Sequence, residues 1–251
     1  MPMELTASRF IARMYEHQSD EELQKIQRYF KTKEGEYGAG DKFMGIRMGK
    51  VFEIAQEFID LDLVEVEVLL ESDIHEVRAG GCSVMDKQGR KNRLPEIRRQ
   101  ELFNLYLRRH DRINNWDLVD LAAMHVVGRW LVDKPRDILY TLARSSNIWE
   151  RRTAIVSTGY FIKREELYDT YALAELLMND PEDLIHKAVG GFVRYAGSHD
   201  RARHLDFLDR HAASMPRVML RYAIEHLDAE RRKHYLSLKP EPDDAGERNA
   251  E

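Results

Sequence analysis

The chain of 251 residues has little cysteine and no long apolar run, and both absences exclude whole classes of protein. Cys82 is the only cysteine, which excludes an intrachain disulfide and a metal site with several thiolate ligands. No apolar stretch approaches the roughly 18 residues that span a bilayer, and residues 1–10 lack the basic-then-apolar pattern of a signal peptide. We therefore expect a cytoplasmic protein without a membrane partner, in which Cys82 is a small buried side chain.

Sequence motifs for metals and nucleotides are absent as well. The ten histidines form no H-E-x-x-H or H-x-x-x-H arrangement, and the glycines from Gly38 to Gly45 do not match the G-x-G-x-x-G pattern of dinucleotide-binding loops. We therefore predict neither a metal ion nor a cofactor. The glycine-rich segment is interpreted as a flexible loop, with Lys31, Lys33 and Lys42 near phosphates.

The net charge of −5 conceals an uneven distribution of acids and bases. Residues 51–77 contain nine acids and no Lys or Arg, whereas residues 87–112 contain nine bases against three acids. The basic stretch can create a local positive field that suits a nucleic acid, because Lys and Arg neutralise phosphates. It is equally compatible with a solvated helix face of mixed charge, so charge alone leaves both interpretations open.

Apolar residues recur at helical spacing along nearly the whole chain, and no segment of period two is long enough to compete. Prolines fall mainly at segment edges, where they suit first turns and connections. The pattern predicts an all-α fold. We place fourteen helices at 7–17, 20–31, 47–59, 62–72, 74–88, 95–112, 116–133, 136–145, 148–163, 167–179, 182–197, 201–213, 216–227 and 229–236.

A basic residue followed by small or apolar residues recurs in the second helix of successive predicted pairs. The aligned positions are Arg78, Arg152, Lys187 and Arg221, separated by 74, 35 and 34 residues, so a further unit near Trp116 fills the first interval. A period of about 34–37 residues with two helices per unit is typical of stacked helix pairs that curve into a concave surface. We predict HEAT-like helical-pair repeats that form a right-handed α-α superhelix with a concave basic face. An ordinary helical bundle with coincidental spacing is the alternative.

Domain organisation follows from composition. Residues 1–238 are predicted to form a single HEAT-like repeat domain. Residues 239–251 contain two prolines and five acids with almost no apolar residue, so we expect a disordered acidic tail and assign it no function.

The segment from Asn114 to Asp120 is the densest candidate for chemistry. Asn115 is a good helix N-cap and Asp117 suits a first helical turn, which explains both residues structurally. Trp116 and Asp120 are four residues apart and share one helix face, where a ring and a carboxylate together suit a cationic ligand. The alternative is a core tryptophan beside a solvated acid.

Four local patterns occur in a specific order over residues 5–236. They are Arg28-Tyr29-Phe30-Lys31 with the loop after it, Trp116-Asp117-x-Val119-Asp120, Ser146-Asn147-Ile148-Trp149-x-x-Arg152-x-Ala154, and Lys187-Ala188-Val189-Gly190 ahead of Arg194. Together they resemble the AlkD-like DNA alkylation repair glycosylases. That family removes alkylated purines whose ring carries a positive charge, of the 3-methyladenine and 7-methylguanine types, without drawing the base into a deep pocket.

The resemblance implies that Asp120 is the catalytic carboxylate, with Asp117 as its alternative. A cationic base is already an activated leaving group, so one carboxylate that stabilises the oxocarbenium-like sugar and positions water is sufficient. The residues that the resemblance implies in binding the lesion or the DNA are Trp116, Arg152, Tyr29, Lys187 and Arg194. Arg152 is also compatible with an exposed arginine on an inner helix, and Tyr29 with a half-buried core tyrosine.

The implied function is that of a monofunctional DNA glycosylase acting on alkylated double-stranded DNA as a monomer, in the cytoplasm and at the nucleoid when bound. One departure is Gly191, which stands where the family commonly has a second DNA-facing tryptophan. Phe192 lies about 100° further around a helix and cannot substitute for it. The alternatives are a glycosylase for bulkier alkyl adducts, a non-catalytic protein for bent or branched DNA, and a protein-binding scaffold.

Overall fold

A computed structural model describes residues 5–30, 38 and 40–239, and within these residues the chain is all-helical. Its α-helices are α1 Ala7–Tyr15, α2 Asp20–Tyr29, α3 Met48–Glu57, α4 Leu63–Leu70, α5 His75–Arg90, α6 Glu96–Arg108, α7 Trp116–Ala123, α8 Asp137–Leu142, α9 Ile148–Ile162, α10 Tyr168–Leu176, α11 Asp183–His199, α12 Arg201–His211, α13 Arg217–Ala223 and α14 Ala229–Ser237. A π-helical segment, Met124–Gly128, directly follows α7. Each predicted helix overlaps one of these, so the all-α prediction is confirmed. None of the described helices is long and apolar enough to cross a membrane.

Some sequence predictions concern residues that the structure does not describe. Lys31 and Lys33 lie outside the described residues, as does the predicted tail from position 240 onwards. Tyr29 is the last residue of α2, but its side chain also lies outside the described part of the chain.

The chain folds as two compact units, Met1–Phe161 and Ile162–Glu251. In the first unit, α5 packs against α3 on one side and α7 on the other, while α4 packs against α6. In the second unit, α11 packs against α13. Helices that are two apart in sequence therefore lie side by side within each unit, as stacked helix pairs require. This packing is consistent with the predicted HEAT-like helical repeats.

Close packing of the π-helical segment on α9 depends on Gly128. A Cβ atom at this position would lie 2.1 Å from the backbone oxygen of Ser157, so a larger residue would force the two helices apart. The Ser157 hydroxyl donates to the Thr153 carbonyl of its own helix at 2.7 Å and also lies 3.5 Å from the carbonyl oxygen of Ala123 in α7. Asp120 lies on α7, which directly precedes the π-helical segment, and Arg152 lies on α9, so the close approach of these helices lets the two side chains meet.

The acidic and basic stretches of the sequence largely neutralise each other across neighbouring helices. The ion pairs between them are Lys91–Asp60, Arg98–Asp62, Arg108–Glu67 and Arg109–Glu71, while Arg90 pairs with Asp86 within α5. Arg99 and Arg112 donate to backbone carbonyls. A mixed-charge surface is therefore the better description of most of residues 87–112. Lys87 and Arg93 differ from the other seven bases, because neither side chain has an ion pair or a hydrogen bond to a described residue.

Candidate functional site

Helix α7 begins at Trp116, and its first turns carry the residues on which the sequence prediction centres. Asn115 caps the helix, as predicted, by accepting a hydrogen bond at its side-chain oxygen from the Trp116 backbone N–H at 2.8 Å. Trp116 and Asp120 both line one cavity of about 590 Å³. The spacing of four residues therefore has the consequence that the sequence predicts: the ring and the carboxylate share a face.

The cavity beside Trp116, hereafter the aromatic cavity, is built from α2, α3 and α7. Phe30 stacks on Trp116, with ring centroids 6.0 Å apart and an interplanar angle of 23°. The other lining residues are Lys25, Ile26, Met48, Phe52, Asp117, Asp120 and Leu121. Aromatic faces together with a carboxylate attract a positively charged ring. No sequence pattern predicts this cavity, because its walls come from segments far apart along the chain.

Arg152 on α9 holds Asp120 through two parallel hydrogen bonds. Its Nε donates to Asp120 Oδ1 at 2.9 Å, and its Nη2 donates to Oδ2 at 2.7 Å. The guanidinium is buried, whereas 39% of the Asp120 side chain is exposed. A fork of this kind fixes both the position and the plane of a carboxylate. The alternative that Arg152 is an exposed arginine is therefore wrong.

A neutral hydrogen-bond network anchors α9 next to this ion pair. The Thr153 hydroxyl lies 2.9 Å from the Tyr106 hydroxyl and 2.9 Å from His110 Nε2. Burial lowers the pKa of His110 to about 4 and raises the pKa of Tyr106. Both rings are therefore uncharged at neutral pH, so neither ring adds a charge next to the Asp120–Arg152 pair.

A second, charged network lies beneath the N-terminus of α7. His75 is fully buried, with Nε2 at 2.7 Å from Asp117 Oδ2 and Nδ1 at 3.4 Å from Asp41 Oδ2. Burial by itself would lower the pKa of His75, but the hydrogen bond to Asp117 and the ion pair with Asp41 outweigh burial and raise the pKa to about 9. His75 is therefore a buried cation held between two carboxylates at neutral pH.

This network fixes the backbone on both sides of Trp116. Arg78 donates to Asp41 Oδ1 at 2.6 Å, and the side-chain amide of Asn115 donates to Asp41 Oδ2 at 3.2 Å. Asn115 and Asp117, the two neighbours of Trp116, are thus bound to the same cluster. The roles of His75 and Asp41 were not predicted from the sequence, because no local pattern indicates them.

Asp117 and Asp120 have different environments, which bears on the choice between them. Asp117 is buried, and its Oδ2 is engaged by His75. Asp120 is exposed at the aromatic cavity and is oriented by Arg152. The geometry favours Asp120 as the carboxylate that meets a ligand and Asp117 as part of the support for α7.

In the second unit, α11 carries three of the predicted DNA-facing positions along one face. Lys187, Gly191 and Arg194 follow each other at spacings of four and three residues, and Lys187 is exposed. Arg194 forms an ion pair with Glu225. Lys187 is thus available to an anion, whereas Arg194 already has a carboxylate partner.

The two adjacent glycines of α11 have different surroundings. A Cβ atom at Gly190 would lie 2.3 Å from the backbone oxygen of Met219, so helix packing requires glycine there. A Cβ atom at Gly191 would have no heavy atom within 4 Å. Packing therefore does not require glycine at position 191, and the position has room for a side chain.

Comparisons with known proteins agree with this architecture. A family model described as "DNA alkylation repair enzyme" matches residues 10–227. A solved structure described as "Predicted DNA alkylation repair enzyme from Enterococcus faecalis" has a TM-score of 0.65 and 14% sequence identity, covering 85% of this chain and 98% of that chain. At this identity, the likeness supports the fold alone. No curated protein matches the chain.

Proposed function

The chain belongs to the DNA alkylation repair enzyme family, and on that premise we propose that it is a monofunctional DNA glycosylase for cationic N-alkylpurines in duplex DNA. The observation that carries this proposal is the Asp120 carboxylate, oriented at two points by Arg152 and exposed at the aromatic cavity. The proposed products are the free alkylated base, of the 3-methyladenine or 7-methylguanine type, and an abasic site. The proposed enzyme acts in the cytoplasm as a monomer and needs no cofactor.

The proposed reaction requires a negative charge held close to the sugar of the damaged nucleotide. The bond between the base and the sugar C1′ breaks with its electron pair going to the base, which thereby loses its positive charge. The sugar is left as an oxocarbenium-like cation, which the Asp120 carboxylate stabilises. Water then adds to C1′ and loses a proton. Arg152 acts as a positioning residue, because its two hydrogen bonds fix the position and the plane of the Asp120 carboxylate.

Trp116 supplies the attraction for the leaving group in this proposal. An electron-rich indole face favours a cationic purine over a neutral one, which contributes selectivity for the damaged base. Phe30 stacks on the Trp116 ring, and the His75 cluster holds Asn115 and Asp117, the residues on both sides of Trp116. The ring is therefore placed before substrate arrives, which limits the ordering that binding requires.

A second candidate substrate class is bulkier N-alkyl adducts. Two observations favour it: the aromatic cavity has a volume of about 590 Å³, and Gly191 leaves open space where the family commonly has a tryptophan. Both substrate classes use the same carboxylate. They are separated by comparing the excision rates of a methylated base and a base with a larger apolar substituent.

The decisive experiment measures release of free 3-methyladenine and 7-methylguanine from methylated duplex DNA by chromatography. The parent protein is compared with Asp120→Asn, which retains an oxygen that accepts from Arg152, and with Asp117→Asn as the matched control. We expect release by the parent, none by Asp120→Asn, and residual release by Asp117→Asn.

Two other outcomes would replace the proposal. DNA binding by the parent without release of either a methylated or a bulky base would indicate the non-catalytic alternative for bent or branched DNA. Absence of any salt-dependent affinity for DNA would indicate a protein-binding scaffold, because phosphate contacts necessarily weaken as salt is added.

A further inference from the structure

A polar depression adjoins the aromatic cavity on α5. It has a volume of about 460 Å³ and shares two wall residues, Phe52 and Leu121, with the aromatic cavity. The remaining lining residues are Gln56, Ile59, Ser83, Asp86, Lys87 and Arg90. Leu121 directly follows Asp120 in α7, so the depression begins next to the proposed reaction site.

Three hydrogen-bond donors line this depression from one helix face. Ser83, Lys87 and Arg90 are spaced by four and three residues along α5. Ser83 is only 4% exposed, yet its hydroxyl has no hydrogen bond to any residue that the structure describes. The Ser83 hydroxyl thus keeps both its donor and its acceptor capacity for a group that enters the depression. Its position on the wall of the depression points to a ligand there.

Lys87 is the second group without a partner. Its neighbours along the chain, Arg90 and Lys91, pair with Asp86 and Asp60, but Lys87 forms no ion pair within the described residues. It is half-buried in the wall of the depression. A partly desolvated ammonium interacts with an anion more strongly than a fully hydrated one does.

The one carboxylate that lines the depression, Asp86, does not cancel this positive charge. Its Oδ1 lies 2.9 Å from His125 Nδ1, and its Oδ2 accepts from Arg90 Nε at 2.7 Å. Both oxygens are therefore occupied. The groups available to a ligand are the Lys87 ammonium, the Ser83 hydroxyl and the part of the Arg90 guanidinium that Asp86 does not bind. These donors match the acceptor oxygens of a phosphodiester.

We propose that this depression binds a backbone phosphate of the DNA strand whose damaged nucleotide lies at Asp120. The proposal rests on the proposed function in one respect, because it takes DNA as the ligand. A phosphate held by Ser83 and Lys87 sets the register of the strand relative to α7, so the sugar to be attacked stops beside the carboxylate. Contacts of this kind position a protein on a duplex without reading its sequence.

The test uses a fluorescent duplex that contains no damaged base, so the result does not depend on glycosylase activity. Anisotropy is measured from low to physiological salt for the parent, Lys87→Ala, Ser83→Ala and Lys163→Ala. Lys163 is the matched control, because it is exposed, has no ion pair within the described residues and lies outside the depression. Thermal melts confirm that each variant is folded.

We expect Lys87→Ala to weaken binding about tenfold at low salt and to reduce the slope of log affinity against log salt by about 1. Ser83→Ala should weaken binding by roughly five- to tenfold without changing that slope, since it removes a donor and no charge. Lys163→Ala should change affinity by less than about twofold, which is the scale of a charge that contacts no phosphate.

Three results would overturn the proposal: a parental slope for Lys87→Ala, parental affinity for Ser83→Ala, or an equal loss for Lys163→Ala. Binding of inorganic phosphate to the parent and to Lys87→Ala is measured as well. If phosphate alone bound in a manner dependent on Lys87 while DNA affinity did not depend on Lys87, the depression would be a site for a free anion and not for DNA. A parent that binds DNA but excises nothing would overturn the proposed function and leave this site standing.

Discussion

Arg152 is buried and Asp120 is exposed, although the two side chains form one ion pair with hydrogen bonds of 2.9 and 2.7 Å. This asymmetry separates their roles. The buried guanidinium is packed and cannot follow a substrate, whereas the exposed carboxylate keeps a surface towards the aromatic cavity. The pair therefore combines a rigid support with an accessible charge.

The first prediction concerns the pair of hydrogen bonds from Arg152 to Asp120. Arg152→Lys retains the positive charge but offers a single ammonium, which cannot hold both carboxylate oxygens in one plane. We expect the single-turnover rate of base release to fall about 10- to 100-fold while duplex affinity changes less than about threefold. Rapid-quench kinetics with saturating protein measure the rate. A parental rate for this variant would show that Arg152 does not orient Asp120.

Substitutions of Trp116 should affect substrate capture. Trp116→Ala removes the stacking partner of Phe30 and the ring that attracts a cationic base, so kcat/KM should fall about 10- to 100-fold. Trp116→Phe retains a smaller aromatic face and should give an intermediate value. The measurement is base release over a range of DNA concentrations. Equal activity of the two variants would argue against the ring as the selective element.

The buried His75 cluster predicts a particular pH dependence of stability. Because the folded pKa of His75 is raised to about 9, its contribution is complete below about pH 6.5 and is lost as the pH rises through about 9. His75→Gln should therefore lower the free energy of unfolding by about 3 kcal/mol at pH 7. The difference from the parent should shrink towards pH 10.

Urea unfolding at pH 7 and at pH 10 measures this difference. Lowered activity of His75→Gln at pH 7, with Trp116 fluorescence altered in the folded state, would further support its effect on α7. If the stability difference were the same at both pH values, His75 would not be the titrating cation between Asp41 and Asp117.

The adjacent glycines of α11 offer a matched pair of substitutions. Gly191→Trp places a side chain in open space, so we expect a change in stability of less than about 1 kcal/mol and tighter binding of small cationic lesions. Gly190→Ala forces a Cβ atom against the Met219 carbonyl and should destabilise the protein by about 1–3 kcal/mol. Thermal melts and excision assays measure both effects. A strongly destabilised Gly191→Trp would contradict the open surroundings of Gly191.

The helices were predictable because each encodes its own apolar periodicity. The predicted span 116–133 shows where that information ends: the structure has α7 over Trp116–Ala123 and then the π-helical segment Met124–Gly128. A π turn changes the hydrogen-bond register, which apolar spacing does not report. The close approach of Gly128 to Ser157 was equally invisible, since it depends on how two helices far apart in sequence pack.

The candidate site divides in the same way. The shared face of Trp116 and Asp120 follows from a spacing of four residues, and the Asn115 cap from its side chain, so both were determined locally. The resemblance contributed Arg152. Nothing along the chain indicated that Asp117 would be engaged by buried His75 or that Phe30 would wall a cavity with Trp116.

The sequence by itself determined the all-α class, the helices of the described residues and the face on which Trp116 and Asp120 lie, because a helix repeats its geometry every few residues. Tertiary structure alone decided which charges remain available. Lys87 and Arg108 belong to the same basic stretch, yet Arg108 meets Glu67 on the neighbouring helix while Lys87 faces a polar depression. The reason is physical: a charge is neutralised by what lies within a few ångströms of it in space, and residues distant in sequence supply those neighbours.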